Sequence, residues 1–284
     1  MELFVSTEKF NSSSRWLLVH AMAVFSFLYL PIVVLILYSF NGEGVGGFPP
    51  HHLTLDWYRT LFADGPIWDS VLNSLQVAFA AMVISLAFGV PAALALERAQ
   101  FPGKAFFRRL VLLPLILPGI ITGLSLLMLF NVMGTKLSLM TIILGHGTAL
   151  ISVATTEVFA GLQKLDRAQE EASLDLGANY WQTFWRVTVP NLKLPIIGAA
   201  LLIFTLSMDE IAVSFFLIGR ENTLPLEIWG RLRRGITPEI NAVSTIIFAF
   251  SLVAIVCWYR LRVRGEGSAD AGAEMGAALE GDAA

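Results

Sequence analysis

Six long apolar runs alternate with short polar segments along this chain. They fall near Trp16–Phe40, Val71–Leu96, Leu110–Met133, Ser138–Leu162, Leu194–Ile218 and Ala242–Tyr259. A hydrocarbon core about 30 Å thick takes about 20 helical residues to cross, and each run approaches or exceeds that length. None shows the strict alternation of barrel strands, and backbone groups in lipid must be satisfied within their own segment, so helices are expected. The fold class is therefore all-α: a polytopic membrane protein with six transmembrane helices. The first run is too long for a signal-peptide core and no small-residue cleavage site follows it, so it reads as a retained anchor. Residues 1–15 form a tail, 16–264 the membrane domain, and 265–284 (GEGSADAGAEMGAALEGDAA) a small, acidic, low-complexity tail expected to be disordered.

Composition agrees with the pattern. Hydrophobic residues make up 56% of the 284 residues, charged residues 14%, and mean hydropathy is +0.69. A soluble domain carries about 25% charged residues, so much of this surface faces something other than water. A net charge of −3 gives no basic footprint for nucleic acid. The lone Cys257 allows no internal disulfide and no cysteine-based zinc site.

Lys and Arg set the orientation. With the N-terminus inside, the inner segments hold 13: two in the tail, four from Arg98 to Arg109, four from Lys164 to Lys193, and Arg260, Arg262 and Arg264. The outer segments hold six, namely Arg59, Lys136, Arg220, Arg231, Arg233 and Arg234. The excess places both termini in the cytoplasm. Four arginines between the last two spans run against the rule: they weaken it, or they have a purpose there. Pro91 is expected to interrupt the second span, and Pro114, Pro118, Gly119 and Gly123 punctuate the third.

Catalytic patterns are missing. There is no G-x-x-x-x-G-K-[ST] phosphate loop and no H-E-x-x-H pair. Gly123-Leu124-Ser125 and His146 invite an intramembrane hydrolase reading, but no turn-forming glycine follows the serine. A hydrogen-bonded packing role for His146 is preferred. No cofactor and no metal site is expected.

The segment from Leu162 to Lys193 is too long for a simple connection and too rich in helix formers for disorder. A short helix is expected over Arg167 to Leu176, capped by Asp166, with Gln169 and Glu170 in its first turn. Gly177 fits the left-handed position that ends a helix. A second helix should start at Asn179 and reach about Val187, with Pro190 and Pro195 stopping it. Leu174, Leu176, Trp181, Phe184 and Trp185 give it more apolar surface than a solvated loop needs. It either meets another protein or lies on lipid headgroups.

Glu171-Ala172-Ser173, three residues, Gly177, nine residues, then Val187-Thr188-Val189-Pro190 resembles the EAA loop of ATP-binding-cassette importer permeases. That pattern is EAA, three residues, Gly, nine residues, Ile-x-Leu-Pro. The chain departs from it at Ser173, Val187 and Val189, with the spacing intact. The resemblance implies a type I importer permease whose segment from Glu171 to Gly177 is a coupling helix seated on a separate ATPase subunit. Glu170, Glu171, Ala172, Ser173, Asp175, Leu176, Gly177 and Pro190 are then the coupling residues. It also implies a homologous second permease, two ATPase subunits and an external solute-binding protein as partners, in the bacterial inner membrane. Phe204-Thr205-Leu206-Ser207-Met208-Asp209-Glu210, Leu224-Pro225-Leu226-Glu227-Ile228 and Thr237-Pro238-Glu239-Ile240-Asn241-Ala242 resemble the second membrane subunit of spermidine/putrescine permeases, as do Leu30-Pro31-Ile32 and Ser39-Phe40-Asn41. Opine, iron and phosphonate importers share much of this framework. A passive channel would need no coupling loop.

The charges point toward a cationic substrate by a separate route. Asp209 lies 14 residues beyond Pro195, about 21 Å along a helix and past the midplane. An acidic group at depth costs about 2.5–3.5 kcal/mol. On a continuous helix Ser207, Glu210 and Ser214 share one face, and Thr205 and Asp209 another. At least one carboxylate could face a substrate path; alternatively they pair with a basic residue of a partner permease or lie near the outer headgroups. Asp56-Trp57-Tyr58-Arg59 and Leu61-Phe62 suggest an amphipathic outer helix, and Trp229, Leu232 and Ile236 against Arg231, Arg233 and Arg234 another. By resemblance Trp57, Tyr58, Arg231 and Arg234 could dock a binding protein; a solvated basic face is the alternative.

Overall fold

The computed structural model describes residues 12–42, 52–235, 238–253 and 256. Expectations for the start of the N-terminal tail, for Ile236, Cys257, Arg260, Arg262 and Arg264, and for the tail from Gly265 fall outside those residues. All described regular structure is helical, apart from an isolated antiparallel bridge between Asn41 and Leu53.

Three helices are long and apolar enough to cross a membrane unaided: Ser12–Ser39, Gly65–Arg98 and Leu139–Leu162. They match the first, second and fourth apolar runs. Pro91 does not interrupt the second span, nor Pro31 the first. A helix absorbs one proline by giving up a single N–H, and Pro91 leaves only the Ala87 carbonyl without its usual donor.

The third run is not one rod. Lys104–Ile116 and Gly119–Val132 meet at 106°. Leu117, ahead of Pro118, is extended (φ −75°, ψ 131°), because a residue preceding proline is pushed out of the helical region. The fifth run divides as well. Tyr180–Asn191 bends by 69° into Lys193–Met208, and the chain leaves helix at Asp209 before a short helix, Ala212–Leu217. Of the sixth, Pro238–Val253 is described and helical.

The chain forms two compact units, residues 64–230 and residues 1–63 with 231–284. In the first, the second, fourth and fifth spans close around Ala93, Val153, Ala154, Val158, Leu162, Leu192, Ala199 and Ile203. A second cluster joins Val77, Phe130, Ile142, Val213 and Leu217. Small residues allow the close approach: a Cβ on Gly89 would lie 2.3 Å from that of Ala154. Across the same seam Ser85 Oγ donates to the Gly147 carbonyl at 2.8 Å. In the other unit, the outward side chains of the first span are apolar and bare, with Phe27 78% exposed, as a lipid-facing helix requires.

Candidate functional site

The loop between the fourth and fifth spans folds as two helices. Ala168–Asp175 begins where the Asp166 carboxylate accepts from Ala168 N at 3.0 Å. It ends in a full Schellman turn: Ala178 N donates to the Ser173 carbonyl (3.1 Å), Gly177 N to that of Leu174 (2.9 Å), and Gly177 sits at φ +90°. The next helix opens with a reciprocal cap in which Asn179 Oδ1 accepts from Gln182 N (2.8 Å) and Gln182 Oε1 from Asn179 N (2.9 Å).

This second helix does not stop at Pro190 as expected. It widens to a π-turn over Phe184–Thr188 and continues to Asn191. Val189 N reaches back to the Phe184 carbonyl, and in that wider register the missing N–H of Pro190 is accommodated. The bend comes at Leu192, a fully buried residue.

The residues expected to couple divide by environment. Glu171, Ala172, Asp175, Leu176, Gly177 and Pro190 are exposed, Leu176 at 89%. Ser173 is half-buried and shares a hydrogen bond with Thr183 (Oγ to Oγ1, 3.0 Å). Glu170 turns inward. Its Oε1 accepts from Thr188 Oγ1 at 2.7 Å, and its Oε2 lies 3.0 Å from Arg98 Nη2 at the C-terminal end of the second span. Arg167 Nη2 donates to the carbonyl (3.1 Å) and carboxylate (3.0 Å) of neighbouring Glu97. Tyr180, Trp181 and Trp185 are exposed, the last two ring to ring at 5.7 Å. Arg98, Glu97 and Thr188 were not singled out from sequence. A Glu-Arg pair closing a long apolar run was the available signal.

The break in the fifth span rearranges the acidic pair. The shared helical faces assumed for Asp209 and Glu210 do not exist, because the helix ends at Met208. Asp209 is exposed. The Glu210 carboxylate folds back to cap the next helix, accepting from Val213 N at 2.9 Å. It also borders Gly119, where an added Cβ would lie 3.3 Å from Glu210 Oε1, at the start of the second half of the broken third span. A carboxylate is favourable at a helix N-terminus. Ser207 and Ser214, on either side of the break, are buried and both bond His146: Nδ1 to Ser207 Oγ at 2.8 Å and Nε2 to Ser214 Oγ at 2.9 Å. His146 therefore staples the interrupted span to the fourth.

The two expected amphipathic helices form at Asp56–Ala63 and Leu224–Arg234. Trp57 Nε1 donates to the Asn41 carbonyl (2.8 Å), and Tyr58 hydroxyl meets Ser39 Oγ (2.7 Å), so both fasten their helix to the end of the first span. Arg231 is largely enclosed, with Glu239 3.9 Å away, while Arg234 is exposed.

Relatives place this architecture. Residues 85–263 match the family described as binding-protein-dependent transport system inner membrane component. The putrescine transport system permease protein PotI of Escherichia coli is 35% identical over 262 residues, covering 89% of this chain and 92% of PotI. The spermidine/putrescine transport system permease protein PotC of Haemophilus influenzae is 34% identical over 250 residues, with 86% and 95% covered. Among solved structures, a bacterial ABC transporter that imports the acidic polysaccharide alginate shares the fold at TM-score 0.65 and 21% identity, covering 88% of this chain and 96% of that one. The chain belongs to the inner membrane components of binding-protein-dependent ABC importers, and it is a permease subunit.

Proposed function

We propose that this permease carries polyamines such as putrescine or spermidine, or a closely related organic cation, inward across the bacterial inner membrane. It pairs with a homologous permease, two ATPase subunits and an external binding protein, with both its termini in the cytoplasm. Kinship with PotI and PotC supports the substrate class. The observation that carries the coupling role is the exposed face of Glu171, Ala172, Asp175, Leu176 and Gly177, ended by a left-handed turn at Gly177 and braced on the second span through Glu170. ATP-driven closure of the ATPases swings that helix and opens the path outward, and release of the hydrolysis products returns it inward. Asp209 offers its carboxylate to the cationic solute at the break in the fifth span, and Glu210 holds the break in shape. Trp57, Tyr58, Arg231 and Arg234 belong to the helices on which the binding protein docks.

The test is a substrate panel on the reconstituted complex, reading ATPase stimulation by the loaded binding protein. Polyamines are expected to stimulate, and stimulation only by an opine, iron or a phosphonate would reassign the substrate. The double variant Asp209→Asn, Glu210→Gln is expected to assemble but lose ATP-dependent polyamine uptake. Normal uptake by that variant would remove the acidic pair from the path.

A further inference from the structure

We propose that Glu170 is a transmission pin, joining the coupling helix to the second and fifth spans, and is not part of the surface the ATPase touches. This rests on the coupling reading above. Three segments converge on its carboxylate. Oε2 meets Arg98 of the second span (3.0 Å), and Oε1 accepts from Thr188 in the π-turn that leads into the fifth span (2.7 Å). The carboxylate itself rides on the helix Ala168–Asp175.

Burial separates it from its neighbour. The Glu170 and Arg98 side chains are 18% and 21% exposed, whereas Glu171 is exposed. The Arg98 nitrogens are shut off from solvent and make no well-aligned hydrogen bond, so the Glu170 carboxylate is the charge that compensates the guanidinium. Among the described residues Glu170 is the counter-charge in ion-pair range of Arg98, and an enclosed cation holds such a partner firmly, because separation leaves a buried charge unmatched. Arg167 on Glu97 adds a second tie to the same helix end, and Asn191 Nδ2 on Gln169 Oε1 (2.9 Å) a second tie to the fifth-span side.

The second span can carry the displacement onward. It runs 34 residues, about 50 Å at 1.5 Å per residue, without a break. Near its far end Asn73 Nδ2 donates to the Asn222 carbonyl (3.0 Å), and Ser74 Oγ accepts from Leu224 N (2.8 Å). One rigid rod thus links the pin to the segment that opens the outer helix Leu224–Arg234. Glu171 meets the motor and Glu170 passes the movement on.

The experiment uses the complete reconstituted transporter and reads putrescine imported per ATP hydrolysed, together with co-purification of the ATPase subunits. Glu170→Gln keeps the Thr188 acceptor but removes the charge facing Arg98. Its ATPase co-purifies at the wild-type level, while uptake per ATP falls about tenfold. The swap Arg98→Glu with Glu170→Arg recovers most of that ratio. Thr188→Val, read the same way, loses a smaller part, and it serves if Glu170→Gln does not accumulate in the membrane. Unchanged uptake per ATP in these variants overturns the pin. So does loss of ATPase co-purification in Glu170→Gln matching that in Glu171→Ala, which would make Glu170 an interface contact. If the wild-type chain itself recruits no ATPase, the coupling reading fails and takes this inference with it.

Discussion

A neutral imidazole has one nitrogen that donates and one that accepts, and a serine hydroxyl can do either. His146 therefore satisfies both of its nitrogens with Ser207 and Ser214 in either tautomer. Replacement by leucine keeps the volume but strands those hydroxyls. Ser207 can turn to the preceding helical turn, whereas Ser214, near the start of a short helix, has less choice. His146→Leu is expected to cost about 1–3 kcal/mol, seen as a lower melting temperature in detergent. His146→Gln, which carries a donor and an acceptor, should recover part of it. A leucine variant as stable as the parent would show that the staple contributes nothing. The packing role of this histidine was legible from its place in an apolar run. Its partners were singled out for another reason: serines seven apart share a helical face, and both still reach the fourth span despite the break between them.

At the scale of elements, the seam between the second and fourth spans depends on what is missing at position 89. Beyond Ala154, an added Cβ there would approach the Ile151 carbonyl and Thr155 N, each at 3.1 Å. Gly89→Ala should push the helices apart at about 1–3 kcal/mol, and adding Ala154→Gly should restore more than half of the lost melting temperature, since it removes the nearest atom. No restoration would place the strain in the backbone contacts. Spacing alone could not identify this seam, because glycines are common in membrane helices and their partners lie about 60 residues away. The loop helices were far more legible. Asp166, Asn179 and Gly177 act through neighbours within five residues, so their local bonds are legible in advance, although the first helix begins one residue later than expected, with Arg167 in the cap position. Pro190 and Pro91 misled for the converse reason: whether a proline ends a helix depends on what surrounds it, and local sequence does not record that.

For the whole molecule, the breaks in the third and fifth spans matter more than the number of crossings. The apolar runs marked where the helices lie, yet continuous rods were the wrong picture for two of them. Prolines announced the break at Leu117. The break at Asp209 is hidden in the sequence, because an acidic residue in an apolar run signals charge as readily as it signals a helix cap. Between Met208 and Ala212 the carbonyls that close one helix have no turn beyond them, while Glu210 serves only the Val213 amide and Ile211 O accepts from Phe215 N. Hydrocarbon offers such groups nothing, so irregular backbone at this depth must line a wet cavity or be covered by protein. Asp209 and Ile211 are exposed on this chain. In this chain by itself the break is therefore left open, to water or to a partner's surface. In nanodiscs, amide deuteration at Asp209–Ile211 is expected within seconds, against hours for Leu201–Leu206. Equal protection of the two stretches would mean that protein, and not water, covers the break.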